Sequence, residues 1–123
     1  MKKIILLSIL LSVIIISFGF LNETGTNEVY VLVKYKAQQN KSEQALTELK
    51  NLVTKVKEEP NYNKIVIHVD PADPTNILLY EHWDDEAYYK GYHMSTPHLQ
   101  KFITNSREFL AGPPEITFWE VVD

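Results

Sequence analysis

Between Tyr80 and Phe102 the chain reads YEHWDDEAYYKGYHMSTPHLQKF. Four residue types there can do chemistry. Glu81 stands two residues before Trp83, so in an extended segment both point to one side with Leu79. A carboxylate on that side is either half-buried with a raised pKa, fit to take a phenolic proton, or tied into a structural pair with Arg107 or a lysine. His93 can act as an acid/base group or hydrogen-bond donor, or serve as a capping or contact histidine. His98 follows five residues later across Pro97. That is not the i, i+4 spacing of two helical zinc ligands, and no third ligand is in view, so no metal is expected. Trp83 either stacks on a flat aromatic molecule or fills the core with its N–H on an oxygen. Tyr88, Tyr89 and Tyr92 form a helical patch, from which Tyr89 and Tyr92 can reach a cavity.

Other chemistries find no residues. The chain has no cysteine and no G-x-S-x-G, so a thiol or serine nucleophile has no basis. Four glycines in 123 residues make no phosphate-binding loop, so no nucleotide cofactor is implied. The 12 Lys and Arg residues against 16 Asp and Glu form no basic patch. Without Lys2 and Lys3 the balance is 10 against 16, a net charge of −6, which argues against nucleic acid as a partner.

Certain elements must position these residues. Met1-Lys2-Lys3 is followed by an apolar run from Ile4 to Ile16, interrupted by Ser8 and Ser12. Thirteen residues are short for a membrane span and suit the h-region of a secretory signal, with Ser17 and Gly19 as the small residues before a cut. Residues 1–20 are therefore expected to be a signal peptide and the protein exported to a periplasm or secreted. An uncleaved anchor is the alternative, since Phe18, Phe20 and Leu21 extend the run. Residues 21–27 read as a polar linker and 28–123 as one domain.

Within it, Glu28 to Ala37 alternates as a strand. Asn40 to Glu43 resembles a capping box opening a helix over 41–57, with Ala45, Leu49, Leu52, Val53 and Val56 on one stripe. Lys64 to Asp70 and Ile77 to Trp83 read as a hairpin, with Ile65, Ile67 and Val69 sharing a face. Asp84 is expected to cap a short helix. Thr96-Pro97 opens another, with Leu99, Phe102 and Ile103 inward. Glu115 to Val122 is a last strand. The order βαββαβ is the ferredoxin-like α+β pattern. The strands are apolar on both faces, so the face away from the helices predicts a second copy of the chain against it, a homodimer.

The string Glu81-x-Trp83-Asp84, followed by Ala87, His93, Ser95, Pro97, His98 and Phe102, resembles the antibiotic biosynthesis monooxygenase family. The resemblance spans Glu28 to Val122. It implies a dimeric α/β barrel built from ferredoxin-like units, and among family activities the oxidation of quinol- or anthrone-type aromatics by O₂ without a cofactor. On that reading Trp83, His93 and Glu81 are the catalytic candidates, and Tyr89, Tyr92, His98 and Phe102 the substrate-binding ones. Haem-degrading relatives pair the tryptophan with an asparagine and a histidine. The matching positions here are Val33 and Phe102 or Ile103, which cannot ligate iron. A non-catalytic module that binds a small molecule on the same scaffold is the alternative function.

Overall fold

The computed structural model describes residues 27–123; the expected signal peptide and all but the last residue of the linker lie outside them. Four strands form one antiparallel sheet in the order β2-β3-β1-β4: β1 Val29–Lys36, β2 Tyr62–Val69, β3 Asn76–Trp83 and β4 Glu115–Trp119. Three helices, α1 Ser42–Val56, α2 Glu86–Lys90 and α3 Pro97–Asn105, complete the α+β ferredoxin-like fold. Short 3₁₀ turns at His93–Ser95 and Ser106–Glu108 follow α2 and α3.

The two central strands set the register. Val29 pairs with Trp83, Val31 with Glu81 and Val33 with Leu79. Period-two alternation then aims Val29, Val31, Val33 and Tyr35, with Ile77, Leu79, Glu81 and Trp83, at the helices, and all eight are buried. From the other side α1 contributes the expected stripe of Ala45, Leu49, Leu52, Val53 and Val56, all buried. Burying each large member of that stripe stabilises by about 1.5–3 kcal/mol.

Local chemistry departs from expectation at several ends. Helix α1 has no side-chain cap: its N-cap is Lys41, and Asn40 instead takes a left-handed conformation at φ 68° in the preceding turn. Asparagine tolerates that region better than other side chains. The cap of α2 is Asp85, not Asp84. Asp85 is extended, and its carboxylate accepts from the amides of Ala87 and Tyr88. Asp84 is held elsewhere, accepting from Asn63 Nδ2 at 2.9 Å. Thr96 precedes Pro97 as predicted, but its hydroxyl donates backward to the His93 carbonyl at 2.9 Å. Val69, at the far end of edge strand β2, is 40% exposed and does not share the shelter of Ile65 and Ile67. β4 stops at Trp119, whose partner is Tyr30; β1 begins one residue before Tyr30, leaving nothing to pair with Val121 and Val122.

Candidate functional site

A cavity of about 830 Å³ lies between the sheet and the helices. β1 contributes Val33 and Tyr35, α1 contributes Leu52, Val53 and Val56, and α3 contributes Leu99, Phe102 and Ile103. Its walls are mostly apolar, with the carboxyl of Glu81 and the imidazole of His93 among the lining groups.

Trp83 joins these two. Its indole Nε1 donates to Glu81 Oε1 at 2.8 Å, and its ring lies 4.5 Å from the His93 imidazole between centroids. Of its two readings the structure shows the core one: Trp83 is fully buried with its N–H on a carboxylate oxygen, and it does not line the cavity. Tyr89 does line it and stacks on His93 at 5.0 Å. Trp83 and Tyr89 thus pack on the imidazole and on each other, 5.5 Å apart between centroids. Phe102 also lines the cavity, edge-on to Tyr35 at 6.0 Å. Two residues proposed from the sequence for substrate contact stand away from it. Tyr92 is 65% exposed and stacks on Tyr88, while His98 turns to Glu59. Tyr92 faces outward, whereas His98 is half-buried against Glu59.

Burial sets the protonation of the wall. Desolvation raises Glu81 to about 7, against the Trp83 hydrogen bond that lowers it, and the charge of Glu59 adds to the rise. Among the described residues Glu81 makes no ion pair, so the pairing with Arg107 or a lysine considered from the sequence is not formed. Desolvation also lowers His93 below the ordinary histidine value, opposed by its bond to Glu59, so at neutral pH it is a neutral imidazole. Burial and the nearby Glu81 raise the phenols of Tyr35 and Tyr89, which stay protonated.

Glu59 has no counterpart in the sequence reading. It sits in the turn that ends α1, ahead of Pro60, with its side chain only 5% exposed. Oε1 meets His93 Nδ1 at 2.9 Å and accepts from the Tyr88 hydroxyl at 3.0 Å, and Oε2 meets His98 Nε2. The only sequence signal was a glutamate at a helix end, which ordinarily faces water. Away from the cavity, ligand-capable atoms of Glu28, His82 and Asp84 lie within 4.8 Å of one another at the end of β3. His82 Nε2 is already bonded to Glu28 there, at 3.2 Å.

The sequence pattern of the antibiotic biosynthesis monooxygenase family matches residues 28–105, and the chain belongs to that family. A crystal structure from Pseudomonas aeruginosa superposes with a TM-score of 0.73 at 21% identity, over 82% of this chain and 99% of that one. A candidate antibiotic biosynthesis monooxygenase from Nitrosomonas europaea gives 0.72 at 17% identity, over 80% and 93%. These likenesses are of fold. An uncharacterised protein of Synechocystis sp. is 23% identical over 95 residues, 77% of this chain. The chain spans 64% of that relative's length.

Proposed function

We propose that this protein is a cofactor-independent monooxygenase that oxidises a small electron-rich aromatic of the quinol or anthrone type with O₂. One observation carries the reading: a large, mostly apolar cavity lined by two acid/base groups, Glu81 and His93, that are linked through their shared contact with Trp83. Such a substrate needs little from the protein beyond binding, orientation and removal of one proton. The resulting anion passes an electron to O₂, and the radical pair combines to a hydroperoxide. Loss of water then leaves the ketone. An anthrone CH₂ becomes C=O, with one oxygen atom retained and the other released as water together with the two hydrogens.

Tyr89 and Phe102 are the rings on the cavity that would flank the aromatic. Trp83 acts from behind, holding Glu81 and packing on His93. The test is oxygen uptake by the purified protein with hydroquinones, anthrones and naphthols, in the presence of chelator. Uptake above the uncatalysed rate is expected, falling at least tenfold in Glu81→Gln, His93→Gln or both. Ligand-dependent stabilisation without product would replace this reading by that of a binding module.

Two further properties belong to the same proposal. The protein works as a homodimer, its second copy covering the sheet face that carries Tyr30, Leu32, Val66, Leu78 and Tyr80. It is exported, with residues 1–20 removed as a signal. Intact mass of the protein recovered from its native cell reports this directly: the cleaved mass is expected, and the full mass would indicate retention as an anchor.

A further inference from the structure

His93 offers two nitrogens, and only one can face the cavity. Nδ1 is committed to the Glu59 carboxylate, at 2.9 Å from Oε1 and 3.1 Å from Oε2. Glu59 does not line the cavity, whereas His93 does. The nitrogen left over is Nε2, which makes no hydrogen bond among the described residues; since every buried side-chain nitrogen and oxygen there has a partner, Nε2 is an accessible atom, open toward the cavity that His93 lines. A carboxylate can only accept, so the nitrogen that meets it carries the proton. Neutral His93 is then the Nδ1–H tautomer, with the Nε2 lone pair open.

Glu59 itself is immobilised. Oε1 also accepts from Tyr88, and Oε2 is held by His98. The His93 and Glu59 side chains are 7% and 5% exposed, so water competes little for these bonds. Thr96 adds a second constraint: its amide and hydroxyl both bond the His93 carbonyl, at 3.2 and 2.9 Å, fixing the backbone that carries the imidazole.

We propose that Glu59 is the positioning residue of this site, clamping His93 through Nδ1 and thereby presenting Nε2 as the proton acceptor. This rests on the acid/base reading of the cavity and assigns its two groups. As the substrate O–H or C–H bond breaks, its proton forms the Nε2–H bond and its electron pair stays on the substrate. The imidazolium so formed faces the Glu59 carboxylate, which stabilises it. Glu81, bonded to Trp83, is left as the second group on the wall, able while protonated to donate to an oxygen of the substrate. Orientation of a general base by a carboxylate on its far nitrogen is an established device for holding one tautomer.

The test is spectroscopic and needs no substrate. In the purified protein labelled with ¹⁵N-histidine, long-range imidazole spectra at pH 7.5 are expected to show His93 protonated at Nδ1 and bare at Nε2. Glu59→Leu is expected to move the proton to Nε2. Tyr88→Phe, which removes one donor to Glu59 but leaves the His93 contact, is expected to keep the original tautomer in a folded protein. A bare Nδ1 in the unaltered protein overturns the proposal, as does retention of Nδ1–H in Glu59→Leu. If that variant fails to fold, Glu59→Asp keeps the test open. The shorter carboxylate is expected to retain the tautomer and lower kcat on an oxidised substrate about tenfold with KM within twofold; unchanged kcat overturns the clamp. Absence of turnover across the aromatic panel would remove the oxidation reading while the tautomer still decides the role of Glu59.

Discussion

Glu81 makes the fold sensitive to pH in a direction opposite to that of most carboxylates. Its folded pKa is about 7, against an ordinary value of 4.5. Below 4.5 it is protonated in both states and exerts no penalty. Between 4.5 and 7 the unfolded chain gives up the proton more readily, so stability falls as pH rises and levels off above 7. A difference of this size corresponds to something on the order of 3 kcal/mol. His93 works from the other side: its lowered folded pKa favours the neutral ring, so its contribution is present above pH 6.5 and is lost as the solution is acidified. Glu81→Gln is expected to flatten the fall between pH 5 and 8 and to raise stability at pH 8, measured by urea unfolding. An unchanged slope would show that Glu81 ionises normally. That Glu81 and Trp83 share a face was legible from their spacing in an extended segment; the hydrogen bond between them was not. Glu59 was not, because its partners Tyr88, His93 and His98 lie 29 to 39 residues away and no local pattern encodes such a contact.

At the scale of elements, the short helix α2 is the one whose placement matters most to the site. It has five residues, too few to be stable alone, and its start is secured by the Asp85 carboxylate. Tyr89 on its inner side packs on both Trp83 and His93. Asp85→Ala is expected to lower stability by about 1 kcal/mol, read by thermal unfolding. Asp84→Ala touches no cap and should lower it less. A larger loss for Asp84→Ala would reverse this assignment. Two adjacent aspartates are indistinguishable to a pattern that asks only for an acidic residue ahead of a helix; which one caps depends on Asn63 engaging the other. The strands and α1, with their regular periods, were readable to within a few residues. Their ends were not, since β4 ends where β1 runs out and not where the apolar residues do.

For the whole molecule, the helices cover one side of the sheet. The other carries Tyr30 stacked on His82 at 4.3 Å, with Tyr80 beside it, and Trp119, 57% exposed, on the neighbouring strand. Large rings on a sheet surface favour burial against another surface. Light scattering at micromolar concentration is expected to return twice the chain mass, and Tyr80→Glu, at the centre of that face, to return one chain. A monomer in the unaltered protein would remove the dimer from the proposal. The alternation of apolar residues on both faces made this legible as an expectation, but a pattern of faces does not say what lies against them.

The bonds around Glu59 also bear on how the site comes apart. One carboxylate joins the end of α1, helix α2, the following turn and the start of α3, and each bond is long-range in sequence. None can form in a segment folded by itself. Such a knot admits no half-made version: when any of the joined pieces detaches, the ordering of the others loses its anchor. The acid/base wall is therefore a cooperative property of the assembled domain, present when all four pieces meet and gone when one leaves.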